Sequence, residues 1–111
     1  MASRDIHHGV LKLRFERRNS TCILKLRGAL DLSTSQGLRV ELERLEEADC
    51  ERIVLDLRQL VFMDVAGLRV ITSVASQSRQ ASVSLVRGPA IVQRVFELTG
   101  ADEEVTFLDD E

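Results

Sequence analysis

The sequence predicts an α/β domain, a mixed β-sheet with amphipathic helices packed on it in the order β-β-α-β-α-β-α-β. Three observations predict it. Residues 10–17 and 21–27 alternate apolar and polar side chains on either side of a short turn, the pattern of a hairpin. Beyond them, helically spaced apolar residues alternate with short β-branched runs, which builds strand–helix–strand units. Finally, 111 residues with 44% hydrophobic and 30% charged side chains describe one domain with a single modest core.

Residues 1–9 carry no periodic signal and read as a flexible N-terminal leader that holds His7 and His8. In the first strand Leu11, Leu13 and Phe15 share one side and Val10, Lys12 and Arg14 the other. Asn19 and Ser20 supply the turn, and TCILKLR returns as the second strand. Ser33 followed by Gln36 fits a capping box, and Leu38, Leu42 and Leu45 give the helix of residues 33–48 its apolar stripe. Residues 52–57 (RIVLDL) are a central strand covered on at least one face.

Asp64 stands where a second helix begins, carried by Leu68, Ile71 and Ala75 and widened by Val70 and Val74. As N-cap it accepts a backbone N–H from the first turn, worth roughly 1 kcal/mol. Residues 82–86 (SVSLV) form a fourth strand. Gly88-Pro89 opens a third helix with the proline in its first turn, Val92, Val95, Phe96 and Leu98 give that helix its apolar face, and Gly100 stops it. Residues 104–108 (EVTFL) are expected to add a last short strand before an acidic end.

Charge and motifs exclude more than they assign. The net charge of −3 argues against nucleic acid as a partner. The charge is unevenly placed: residues 1–30 hold seven Lys/Arg against Asp5 and Glu16, and residues 100–111 hold six acids and no base. No apolar run approaches a membrane span and the N-terminus lacks a signal-peptide core, so a cytoplasmic protein without direct membrane insertion is expected. Cys22 and Cys50 lack CxxC spacing and a nearby His, which argues against zinc or a dithiol site. Cys22 alternates with Leu24 and Leu26 and so points into the core. A disulfide between the two stays open, although cytosolic disulfides are rare. Neither GxGxxG nor GxxxxGK[ST] is present, and no cofactor or metal is implied. Asp31, Asp56 and Asp64 fall near strand ends and could cluster, but with both His in the leader no nucleophile–base pair is at hand. An enzyme is not expected.

Four stretches, in order and on the right elements, carry a resemblance. Gly28-Ala29-Leu30-Asp31 follows the second strand, and Ile53-Val54-Leu55-Asp56-Leu57 forms the central one. Phe62-Met63-Asp64 leads into Ala66-Gly67-Leu68, and Val95-Phe96-Glu97-Leu98-Thr99-Gly100 ends the third helix. Together they resemble the STAS family, the domain shared by sulfate transporters and anti-sigma factor antagonists, over residues 10–111. The Leu-Thr-Gly ending looks like the antagonist branch.

The resemblance implies a cytoplasmic binding module that docks on an anti-sigma factor and so frees a sigma factor for transcription. That partner is of the serine-kinase type, with a histidine-kinase-like ATPase fold. In the family the kinase reverses docking by phosphorylating the serine that directly follows the Asp at the start of helix two. Here that position is Val65, which has no hydroxyl, so binding is not gated there. The hydroxyls of Thr34 and Ser35 are the best substitutes, because Ser33 reads as a cap and Thr72 and Ser73 lie inside a helix. The implied partner surface is Asp31, Leu32, Ser33, Thr34 and Ser35 with Asp64, Val65, Ala66, Gly67, Leu68 and Arg69, two segments expected side by side. The alternative within the family is a STAS subunit of a membrane lipid-type ABC transport complex. The oligomeric state is not fixed by the sequence.

Overall fold

The expected hairpin is present and has a third strand. In the computed structural model, which describes residues 2–78 and 81–108, β1 (Ala2–His8), β2 (Leu11–Arg18) and β3 (Thr21–Leu30) form an antiparallel meander. This corrects the expectation of a flexible leader at residues 1–9. Gly9, at φ +61°, turns the chain so that His8 pairs with Leu11. Among its described side chains Ile6 alone packs against the core, so the strand shows no alternation; backbone pairing and side-chain ties hold it instead. One tie is His8, whose ring lies over Gly37 and whose Nε2 is 3.3 Å from the buried Glu41 carboxylate.

Helix α1 (Leu32–Glu46) follows, then β4 (Arg52–Met63), α2 (Val65–Gln77), β5 (Ser82–Val86) and α3 (Ala90–Thr99). The five strands lie in the order β1-β2-β3-β4-β5, with β3, β4 and β5 mutually parallel. The fold is thus α/β with a mixed sheet, as expected. The central strand runs well past residue 57, because two register shifts, one between the Lys25–Asp56 and Arg27–Gln59 pairs and one between the Gly28–Leu60 and Ala29–Phe62 pairs, absorb extra residues and let pairing resume as far as Met63. Leu11, Leu24, Leu26, Leu38, Leu42, Ile53, Leu55, Leu57 and Phe96 are fully buried between sheet and helices.

The last expected strand, residues 104–108, is corrected to a single parallel bridge between Leu85 and Phe107. Leu85 N–H donates to the Thr106 carbonyl and Leu108 N–H to the Leu85 carbonyl, both at 2.8 Å. Gly100 ends α3 and a 3₁₀ turn at Ala101–Glu103 follows, after which the chain comes alongside β5 at Phe107. Asp109, Asp110 and Glu111 of the acidic end lie outside the described residues. Cys22 and Cys50 form a disulfide that ties the start of β3 to the link between α1 and β4. Cys22 does point into the core, and Cys50 meets it there.

Candidate functional site

The register of β3 and β4 places the site. Leu30 pairs with Met63, so the two strands end together, and the next residue of each, Asp31 and Asp64, caps a helix. The two segments therefore lie side by side, as expected from their positions after parallel strands.

Asp31 makes a closed local cap. Its Oδ1 accepts from the backbone N–H of Ser33 at 2.9 Å and of Thr34 at 3.1 Å, and from the Ser33 hydroxyl at 2.7 Å. The Thr34 hydroxyl accepts from Asp31 N–H at 2.9 Å and donates to the Ala29 carbonyl at 3.0 Å. The capping box is therefore Asp31 with Thr34, which corrects the Ser33–Gln36 assignment: the helix starts one residue earlier, and Gln36 is exposed. The hydrogen bond from Ser33, followed by the backbone and hydroxyl bonds from Ser33 and Thr34, holds the Asp31 carboxyl below its ordinary range against the opposing effect of burial.

Asp64 is the expected cap of α2, and it does more. Its Oδ1 accepts from Gly67 N–H at 3.0 Å, while its Oδ2 accepts from Leu32 N–H, in the first turn of α1, at 3.2 Å. Its own N–H donates to the Leu30 carbonyl at 3.1 Å. One carboxylate thus joins both helix starts and uses an N–H from each first turn. Asp56 does not join this pair; Arg58 grips it in two side-chain hydrogen bonds of 2.8 and 3.1 Å. Burial pushes the Asp56 carboxyl up, but the bonds and charge of Arg58, with Lys25, leave it below the ordinary value.

Four of the anticipated surface residues are inside the molecule. Thr34, Ser35, Gly67 and Leu68 are buried, so they shape the surface from beneath without forming it. Leu68 belongs to the inner stripe of α2, and a Cβ on Gly67 would stand 2.5 Å from Leu30 Cγ and 2.8 Å from the Leu30 carbonyl oxygen. Thr34 and Ser35 also lose their standing as substitute phosphate acceptors; the exposed hydroxyl of that segment is Ser33. What solvent meets is Leu32 (76% exposed), Ser33, Val65 (45%) and Arg69, with Asp31, Asp64 and Ala66 part-exposed. Val61 and Phe62 are exposed immediately before Met63-Asp64 and were not anticipated. They are adjacent yet both exposed at the second register shift, where β4 passes from the Gly28–Leu60 pair to the Ala29–Phe62 pair and leaves Val61 without a β3 partner.

Among the described residues no group of three or more His, Cys, Asp or Glu could hold a metal ion, and none of the helices is long and apolar enough to cross a membrane. The arrangement offers exposed apolar side chains around two anchored helix starts. Such a surface suits recognition of another macromolecule.

Comparison with known proteins agrees with this geometry. A family model for the STAS domain matches residues 12–111. The chain is 31% identical over 106 residues to the anti-sigma F factor antagonist of Paenibacillus polymyxa, covering 91% of this chain and 89% of that one. Its fold is similar to that of an anti-sigma factor antagonist from Mycobacterium paratuberculosis, with TM-score 0.82 at 17% identity over 90% of this chain and 86% of the other. It is also similar to the anti-sigma factor antagonist SpoIIAA in its unphosphorylated form, with TM-score 0.72 at 18% identity over 88% and 89% of the two chains. On its fold, its paired helix starts and these matches, the chain belongs to the STAS domain family.

Proposed function

We propose that this STAS domain is an anti-sigma factor antagonist-like binding module of the cytoplasm. It sequesters an anti-sigma factor of the serine-kinase type, frees a sigma factor for transcription, and is not gated by phosphorylation at the start of α2. The single observation that carries the ungated reading is Val65: it directly follows the capping Asp64, is 45% exposed, and has no hydroxyl. A phosphate at that point would bring about −1.5 to −2 charges to the docking surface; valine keeps a constant apolar side chain there, and Leu32 and Phe62 of the two segments are exposed as well. The Asp64–Leu32 hydrogen bond supports a surface that spans both helix starts, because it fixes α1 and α2 relative to one another.

Val65→Asp tests this reading. The first turn of α2 contains no acid, and a negative charge there is favourable by a few tenths to about 1 kcal/mol. The variant should melt at an equal or slightly higher temperature yet bind a partner captured from the native cell more weakly than the parent. Val65→Ala, which removes contact without adding charge, should fall between them. Equal binding by parent and Val65→Asp would place the partner on another face. Capture of a membrane ATPase instead of a kinase-like anti-sigma factor would favour the transport-complex alternative.

A further inference from the structure

The outward faces of β1, β2 and β3 carry a second feature, unrelated to the helix starts. The antiparallel register sets Arg14 directly opposite Lys25 and Lys12 directly opposite Arg27. Two like-charge cross-strand pairs therefore stand in adjacent rows, an arrangement that is unfavourable when uncompensated. The first pair is compensated from within. Glu16, two residues along β2, receives Arg14 Nε at 3.1 Å and Lys25 Nζ at 3.3 Å on the same oxygen, and Asp5 receives Arg14 NH1 at 2.9 Å. Arg14 first, with Lys25, holds the Glu16 carboxyl below its ordinary range despite the opposing effect of burial.

The second pair has no such partner. Among the described residues no carboxylate lies within ion-pair distance of Lys12 or Arg27, and both are exposed. Two residues before Lys12, in the turn that precedes β2, stands the apolar Val10 and no acid that could play the part of Glu16. His7 faces Lys12 from β1 and Gln59 faces Arg27 from β4, so one row across four strands reads His7–Lys12–Arg27–Gln59. These four side chains line a recess of about 320 Å³, which Arg14 and Lys25 border on the next row. The one acid on its wall, Asp5, is already engaged by Arg14.

We propose that this recess binds a small multiply charged anion of the phosphate class, with Lys12 and Arg27 as its charge partners and Gln59 and His7 as hydrogen-bonding neighbours. The ligand does for the Lys12/Arg27 row what Glu16 does for the Arg14/Lys25 row. Its volume stands at the small end of ligand sites, which fits a compact polyphosphate better than an extended chain. No Phe, Tyr or Trp lines the recess, so charge and hydrogen bonding supply most of the recognition.

Inorganic pyrophosphate is the probe, titrated by calorimetry into the full chain at low salt, with chloride of matched ionic strength as the blank. Saturable one-to-one binding that raises the melting temperature is expected. The Lys12→Gln/Arg27→Gln double variant should weaken it by about tenfold or more, as expected when charge-assisted contacts are lost. A charge-matched control, Arg39→Gln/Arg94→Gln, should bind like the parent. Without ligand, the Lys12/Arg27 double variant should melt at the same or a higher temperature, since it relieves an uncompensated repulsion. Absence of saturable binding, or equal loss in the control, would overturn the proposal. So would a double variant that melts well below the parent, or binding of an acidic peptide or anionic vesicles without pyrophosphate binding.

Discussion

The two helix starts that meet at the end of the sheet are each capped by an aspartate, yet they are built differently. At α1 the cap closes a box of its own: Asp31 and Thr34, three residues apart, satisfy one another's backbone N–H groups. At α2 the corresponding third position is Gly67, which has no side chain to complete such a box. Its backbone instead lies against Leu30, and the capping Asp64 spends its second oxygen on α1. The first start closes its own box and also draws on Asp64, whereas the second lends part of its cap to the first. Damage at α1 should therefore stay local, and damage at α2 should spread to both helices.

Gly67→Ala should have the largest effect. The added methyl meets both the side chain and the carbonyl of Leu30, and overpacking of this kind costs about 1–3 kcal/mol. A denaturant melt that moved by much less would mean that α2 lifts freely from β3, and the asserted difference would fail.

Asp64→Ala comes next, at about 1–2 kcal/mol, for loss of the α2 cap and of the bond to Leu32. The sharper readout is amide exchange. Leu32 N–H of α1 should exchange faster in this variant, together with Gly67 N–H of α2. Acceleration confined to α2 would show that Asp64 does not hold α1.

Asp31→Asn should be the mildest, and its effect should depend on pH. The folded carboxyl is held below its ordinary range, chiefly by Ser33, so it stabilises fully above the unfolded value of about 4. That contribution disappears as pH falls through the lowered folded value. The melting difference between parent and Asp31→Asn should therefore be constant from neutral pH to about pH 5 and shrink in stronger acid. Glu16 and Asp56, also held low, are common to both proteins and cancel. A difference that grew on acidification would contradict the cap.

These contrasts also show what can be read from residues alone. The β2–β3 hairpin, the inner stripes of the helices and Asp64 as a cap were legible because each is a local pattern of side-chain spacing or one residue type at a junction. β1 was not, because ASRDIHH is held by backbone pairing and by His8 resting on Gly37, neither of which leaves a periodic trace. Residues 58–63 of β4 were concealed by two register shifts and by the polar Arg58-Gln59. At the candidate site the two segments were legible as neighbours, but which of their residues face outward depends on helix phase. Position along the helix counts as well: Val65 stands one i,i+3 step before the buried Leu68, yet as the first residue of α2 it is 45% exposed. The Cys22–Cys50 pairing joins positions 28 residues apart and has no local signature.

That bond makes residues 22–50 a covalent ring enclosing most of β3 and all of α1. It is fastened at the start of β3, whereas the proposed docking end lies beyond Leu30, about 27 Å of strand away. Closing a ring of this length removes about 3–4 kcal/mol of chain freedom from the unfolded state in the entropic account. The fastening thus acts on the longevity of the fold, its resistance to unravelling and to proteases, and leaves the far end free to be shaped by Asp31 and Asp64. Under the proposed function, persistence and recognition sit at opposite ends of the same strand.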